Sequence, residues 1–209
     1  TWSVDATNWT TLEADNNGAY DPADFLIFRA PEQVVSSGVQ FAATATPSSS
    51  TGTVSVDNAT GQVSLSNGVQ FATSGYTVSG GAIRLDAPGV VFRVGDGTAE
   101  GGEFVATVSS PLIGAGGLTK TDLGTLILLG TNSYTGGTSV AGGTLQGNAA
   151  SLQGPIDIAA AGTLLFDQSS DGTFAGILNG TGALAKEGAG VLTLSGNSAD
   201  FLGRADLLA

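Results

Sequence analysis

One stretch of this chain occurs twice. The first copy reads GAGGLTKTDLGTLILLGTNSYTGGT from Gly114, and the second reads GTGALAKEGAGVLTLSGNSADFLG from Gly180. Leucine, lysine and glycine positions coincide between the copies, at Leu118/Leu184, Lys120/Lys186, Gly124/Gly190 and Gly130/Gly196. Repetition of a glycine-punctuated unit is typical of solenoids, in which each unit buries its apolar face only against its neighbours.

Short runs that alternate apolar and polar residues recur along the chain, for example at 54–56, 83–85, 156–158 and 192–194. This period of two is typical of half-buried strands, and glycine-rich turns separate the runs. No stretch sustains an apolar period of 3.6, so we predict an all-β fold. The repeat favours a right-handed parallel β-helix (β-solenoid), because stacked coils place like residues at like positions. A sandwich or jelly roll is the alternative.

The beginning of the chain is rich in aromatic residues and differs from the rest. The end of a solenoid exposes strand edges and therefore needs a cap. We predict an N-terminal cap and first strands over residues 1–36, and β-helix coils over 37–209. Repeats are expected at 111–147 and 176–209, the second truncated, in a single domain that is a fragment of a longer chain. An aromatic sugar-binding platform is the alternative for the first segment.

Within each repeat, side-chain direction follows from strand geometry. Leucines at 126, 128, 192 and 194 should point inward, and their neighbours outward. The glycines that bracket these strands are candidates for positive φ. Asn132 and Asn197 should bond turn backbone, stacked as a ladder.

The composition excludes several classes of function. The 18 acidic and 6 basic residues give a net charge of −12, and the basic residues are scattered, so nucleic acid is not a predicted partner. Because histidine and cysteine are both absent, Ser-His-Asp and Cys-His arrangements cannot form in this chain. The densest acidic loop, with Asp96, Glu100 and Glu103, matches no calcium-loop spacing. We therefore predict no catalytic residues, no cofactor and no metal site.

The segment 116–147 reads GGLTKTDLGTLILLGTNSYTGGTSVAGGTLQG and closely resembles the autotransporter-associated β-strand repeat. The second copy matches through Asn197 and then diverges, with Phe201 where a tyrosine is expected. The resemblance implies the passenger of a Gram-negative type V autotransporter, displayed on the outer-membrane surface or secreted. It also implies a C-terminal β-barrel translocator outside this sequence.

Comparison of the two copies indicates one candidate docking patch. Ile127 and Leu129 occupy outward positions at which the second copy has Thr193 and Ser195. Exposed apolar side chains can mark a partner site. The alternative is that a neighbouring loop covers them.

These observations predict a non-catalytic scaffold for adhesion to a host-cell or extracellular-matrix ligand, or for bacterial self-association. The alternative is a secreted β-helical protein that degrades or binds polysaccharide. Such enzymes use paired carboxylates, or calcium with a basic residue, and four charged residues are close enough in sequence to share one face: Arg84, Asp86, Arg93 and Asp96. Paired carboxylates in a long groove would favour the enzyme, and a groove-free flank would favour the scaffold.

Overall fold

A computed structural model describes residues 9–10, 17–18, 25–28, 39–41, 52–59 and 61–208. Over these residues the chain forms strands, one short 3₁₀ helix at Glu100–Glu103 and no α-helix. No helix among them is long and apolar enough to cross a lipid bilayer. The strands are β1 (Trp9–Thr10), β2 (Asn17–Gly18), β3 (Phe25–Phe28), β4 (Val39–Phe41), β5 (Thr53–Val56), β6 (Ser64–Leu65), β7 (Gly68–Phe71), β8 (Tyr76–Gly80), β9 (Ile83–Leu85), β10 (Val90–Val94), β11 (Val105–Val108), β12 (Leu112–Ile113), β13 (Leu118–Thr121), β14 (Thr125–Leu128), β15 (Thr138–Val140), β16 (Gly143–Gly147), β17 (Ile156–Ile158), β18 (Gly162–Asp167), β19 (Gly172–Phe174), β20 (Leu178–Gly180), β21 (Ala183–Glu187), β22 (Leu192–Leu194) and β23 (Arg204–Leu207).

Three faces run along the molecule. Face 1 is a ten-stranded sheet in the order β2-β1-β4-β3-β7-β10-β13-β15-β17-β20, and face 2 is an eight-stranded sheet in the order β23-β21-β18-β16-β14-β11-β8-β5. Face 3 consists of β12-β9-β6 and, further along, β19-β22. From β5 onward every named strand pair is parallel, and the chain visits the faces in turn, so the predicted β-solenoid is confirmed.

The inner side of face 2 shows how the coils stack. Leu126 pairs with Leu145, which pairs with Leu164, which in turn pairs with Leu184. All four side chains are buried in the core. Each buried leucine contributes about 2 kcal/mol relative to an exposed one, so this column holds neighbouring coils in register.

The coils differ in length. The chain needs far fewer residues to pass from Val140 to its partner Ile158 than to pass from Tyr76 to its partner Ala106. The long coil contains the loop with the 3₁₀ helix, which leaves face 1 after β10 and returns to face 2 at β11. Insertions are therefore accommodated between strands while the inner columns stay in register.

The two repeat copies lie on different faces. β13 and β14 of the first copy belong to faces 1 and 2, whereas their counterparts β21 and β22 belong to faces 2 and 3. From β13 the chain completes three coils to reach β20 on the same face, and β21 is the next strand after that. Like residues of the two copies therefore do not lie above one another, which corrects the expectation of equivalent positions along one column. The repeated sequence specifies a strand, a corner and a second strand, and it is used at two different corners of the solenoid.

The bracketing glycines are required for a different reason from the one expected. None of Gly124, Gly130, Gly190 and Gly196 has a positive φ. A Cβ atom on Gly124 would lie 2.6 Å from the carbonyl oxygen of Phe104, in the coil beneath. Glycine is needed here because the two backbones approach closely.

The inward prediction is correct for Leu126 and Leu128, which are fully buried. It is wrong for Leu194, which is 42% exposed, while Leu192 is half-buried against the core. Their strand pairs with β19 on one side, and no strand of the described residues pairs with its other side. Without a covering coil, the inner side of β22 remains partly open.

The predicted cap at 1–36 is described only in part. β1 pairs antiparallel with β2 and with β4, whereas β3 is parallel to β7, and the rings of Phe28 and Phe71 stack 5.2 Å apart. The boundary at residue 36 lies outside the described residues. The cap, and the aromatic platform that is its alternative, stay predictions.

Candidate docking surfaces

The outer side of face 2 carries two rows of uncharged residues. One row contains Thr107, Ile127, Gln146 and Leu165, and the other contains Thr125, Thr144 and Thr163. Threonine and isoleucine are favoured here because β-branched side chains pack well on a pleated surface. These rows are therefore uncharged and rich in threonine, on a chain whose net charge is −12.

The predicted docking patch lies on this side. Ile127 is half-buried between Thr107 and Gln146, its partners in register. Leu129 follows the end of β14 and is 58% exposed, so no described loop covers it. The two side chains, at i and i+2, lie on the same outer flank.

The outer side of face 1 carries a row of polar residues instead. Thr119 pairs with Ser139, Ser139 with Asp157, and Asp157 with Asn179. All four line one shallow, open trough of about 210 Å³, which Gly136, Gly137, Pro88 and Pro155 also line. No sequence pattern reveals this row, because its members come from four coils of unequal length.

Lys120 sits beneath the corner that joins faces 1 and 2. Its side chain is fully buried, and Nζ donates to the carbonyl oxygens of Thr121 (2.9 Å), Asp122 (2.9 Å) and Gly142 (3.1 Å). Burial lowers the pKa of Lys120 to about 8, although the Asp122 carboxylate acts in the opposite direction. Lys186 makes the corresponding contacts, to the carbonyls of Glu187 and Gly188, at the next corner round. These lysines tie corners together by binding backbone carbonyls.

Asp122 closes the same corner from outside. It is the one non-glycine with positive φ among the described residues, at 65°. Its carboxylate accepts from Arg93 Nε at 2.9 Å and from the Gly97 backbone N–H at 3.0 Å. Burial acts to raise the pKa of Asp122, but the hydrogen bonds from Arg93 and Leu123 outweigh it and hold the pKa below its usual value. The acidic loop is thereby fixed to the corner.

The charged candidates for chemistry are not brought together. Arg84 pairs with Asp86 at 2.8 Å, whereas Arg93 pairs with Asp122. Asp96 accepts hydrogen bonds from Thr98 within its own loop, and these lower its pKa. Over the described part of the chain, no three acidic side chains form a group that could hold a metal ion.

In each repeat copy one polar side chain accepts a hydrogen bond from the backbone of a neighbouring coil, but the residue type differs between the copies. Asn132 is buried; its Oδ1 accepts from the Leu112 N–H at 2.8 Å and its Nδ2 donates to the Ser151 carbonyl at 2.7 Å. In the second copy Ser198, which aligns with Asn132, accepts from the Leu178 N–H at 3.0 Å. Asn197 is exposed and makes no side-chain hydrogen bond to the described residues, so the expectation for Asn197 is wrong. The alignment of the copies, rather than the residue type, identifies the equivalent position.

Comparisons with known proteins agree with this architecture. The family model described as the Passenger-associated-transport-repeat matches residues 118–146 and 184–203, inside the two repeats. The adhesin BmaC autotransporter of Brucella suis biovar 1 (strain 1330) is 41% identical over 180 residues. The chain therefore carries two passenger-associated repeats and is similar over most of its length to part of an autotransporter. This similarity indicates a passenger segment that is exposed on the surface of a Gram-negative bacterium or secreted from it.

The shared region is a small part of that relative. The alignment covers 75% of this chain but only 5% of the relative's length. No solved structure is significantly similar to the chain. The similarity therefore concerns a short segment of that autotransporter and the two repeats of this chain.

Proposed function

We propose that this passenger segment is a non-catalytic scaffold whose outer flank mediates adhesion to a host-cell or extracellular-matrix ligand, or self-association of the bacteria. The relative named as an adhesin supports the adhesive role. A translocator at the C-terminal end of the full protein is part of the same proposal.

The observation that carries the proposal is the outer side of face 2. Its two rows are uncharged through Thr163 and Leu165, and Leu129 adds an exposed apolar side chain beside them. A surface of this kind can be desolvated on contact without burying a charge. Repeated display of a weak contact on many passengers raises the overall avidity.

Substitution of the docking patch tests the proposal. We expect Ile127→Ser with Leu129→Ser to reduce adhesion or bead aggregation at least about tenfold, because each lost apolar contact is worth about 1–3 kcal/mol. The assay uses the 209-residue chain on beads, presented to host cells, matrix-coated surfaces and other beads. Leu123→Ser is the matched control, since Leu123 is 53% exposed on a different corner.

Thermal unfolding separates docking from a structural role. Ile127 is half-buried, so Leu129→Ser is also made alone. Reduced binding at an unchanged melting temperature supports docking. A lower melting temperature with unchanged binding, or an equal loss in Leu123→Ser, contradicts it.

The polysaccharide-degrading alternative has less support. Asp167 and Glu187 are neighbours in register, but Gln146 Nε2 lies 3.3 Å from one carboxylate and 3.5 Å from the other. Neither acid lines the trough of face 1. The pair lies on an exposed flank, where no substrate chain is enclosed.

A further inference from the structure

The polar row on face 1 differs from the asparagines that bond backbone elsewhere in the molecule. Asn58, Asn132 and Asn148 each bond the backbone of their own or a neighbouring coil. By contrast, no side-chain hydrogen bond to any described residue is made by the four members of the row: Thr119, Ser139, Asp157 and Asn179. Their hydroxyl, carboxylate and amide groups remain available to a ligand.

The corner beside this row is built from residues with little or no side chain. A Cβ atom on Gly136 would lie 2.5 Å from the backbone of Gly117, and one on Gly117 would collide with the Pro88 carbonyl oxygen. Gly137 has a φ of 79°, and a Cβ atom there would lie 3.2 Å from Pro155. Close stacking of these coils thus keeps the space next to the polar row open.

The size of the trough indicates a ligand that lies along the surface. Its volume of about 210 Å³ is below the roughly 300–1,000 Å³ of pockets that enclose a small molecule. The row extends over three strand spacings, about 14 Å at ~4.8 Å each. An extended chain that contacts each coil in succession fits this shape.

The spacing and charge select among extended chains. Same-face groups of an extended peptide repeat every ~6.7 Å, which does not match the ~4.8 Å between coils. Asp157 is the one charged residue that lines the trough, and no basic residue lines it, which disfavours nucleic acids and acidic polysaccharides. Pyranose units of an extended β-(1→4)-linked glycan repeat at a distance close to the coil spacing. Successive units are turned over, but each ring carries hydroxyl groups on both edges, so every unit still offers a hydroxyl to a carboxylate, amide or hydroxyl partner.

We propose that this trough is a binding site for an extended, uncharged glycan that lies along the solenoid axis with about one sugar unit per coil. Binding uses hydrogen bonds alone and involves no bond cleavage. The trough contains no aromatic platform, so a single site binds weakly and depends on multivalent display. The proposal rests on the adhesive function and deepens it by naming a ligand class, but it uses a different face from the docking patch.

The test measures binding of the 209-residue chain to immobilised neutral oligosaccharides of increasing length, with β-(1→4)-linked glucose, mannose and galactose series. Hyaluronan serves as the acidic probe and gelatin as the extended polypeptide probe. The variant combines four substitutions on the row: Thr119→Ala, Ser139→Ala, Asp157→Ala and Asn179→Ala. We expect affinity for at least one neutral series to rise with length up to about four units, and to fall at least about tenfold in the variant.

The chain contains a matched control row. Thr125, Thr144 and Thr163 are spaced identically on face 2 but do not line the trough. Their replacement by alanine should change glycan binding less than about twofold. Ser139→Leu, which fills the trough with one substitution, replaces the fourfold variant if circular dichroism shows that the latter is unfolded.

Three results would overturn the proposal of a glycan site. No binding of any neutral series, equal loss in the control row, or trough-dependent binding of gelatin or hyaluronan overturns the proposal. Ile127→Ser with Leu129→Ser should leave glycan binding unchanged. Intact bead adhesion in that variant contradicts the docking patch but not the trough, whereas loss of its glycan binding contradicts the assignment of the glycan to the trough.

Discussion

Among the described residues, face 3 has no strand between β12 and β19, and the side chain of Asn132 links neighbouring coils there. Substitution of Asn132 should therefore lower the free energy of unfolding more than most substitutions in the chain. Both of its side-chain bonds, to the Leu112 N–H and the Ser151 carbonyl, are buried. Asn132→Leu keeps the approximate volume but leaves both backbone groups without a partner. Each unsatisfied group costs about 1–3 kcal/mol, so we expect a loss of about 3 kcal/mol in the free energy of unfolding.

Asn132→Asp probes the same site through charge. The carboxylate keeps an acceptor for Leu112 but faces the Ser151 carbonyl with no donor, and burial raises its pKa above that in the unfolded chain. Stability relative to wild type should therefore fall as pH rises from 4 to 7, because only the protonated acid can donate to that carbonyl.

Urea unfolding followed by far-ultraviolet circular dichroism measures both variants. Asn197→Leu is the control, because Asn197 is exposed and should change stability by no more than about 0.5 kcal/mol. Ser198→Ala, at the equivalent position of the second copy, should cost about 1 kcal/mol, since its bond to Leu178 is only partly buried. A cost for Asn132→Leu no larger than for Asn197→Leu would refute the reasoning.

Two further predictions concern the corner. The pKa of Lys120 is lowered from 10.5 to about 8 on folding, so the unfolded chain binds more protons between these values and stability should rise by about 1–2 kcal/mol from pH 7.5 to 9.5. This rise, measured by urea unfolding, should be absent in Lys120→Met and present in Lys186→Met; its presence in both would contradict the assignment. Gly124→Ala should cost at least about 2 kcal/mol, because its Cβ would lie 2.6 Å from the Phe104 carbonyl oxygen, whereas Gly102→Ala, whose nearest contact is 3.5 Å, should be nearly neutral in thermal unfolding.

The fold could be predicted from sequence because its two signals are local. Alternation at 83–85 and 156–158 identifies strands, and glycine spacing identifies the corners between them. The placement of each strand on a face could not be predicted in the same way. It depends on the summed length of every preceding coil, and these lengths are unequal, as the short coil after Val140 and the long coil after Tyr76 show.

One candidate surface could be predicted from the sequence, and the other could not. Ile127 and Leu129 were found because two copies of one motif differ at those positions. The row that contains Ser139 and Asp157 has no sequence signature, because its members are brought together only by stacking of unequal coils. The burial of Lys120 was missed for a similar reason, since one of its partners, Gly142, comes from the following coil.

Inward side chains and corner contacts hold the coils together, whereas outward side chains do not. One repeated motif can therefore occur beneath surfaces of different composition. Lys120 and Lys186 tie different corners with the same kind of backbone contact, and the leucine column requires only that the inner register be kept. Neither requirement constrains an outward side chain. The two outer rows of face 2 can therefore be uncharged and rich in threonine, while face 1 carries a carboxylate and an amide, although the same coils build both faces. Recognition can thus change on one face without altering the corners or the core that keep the coils stacked.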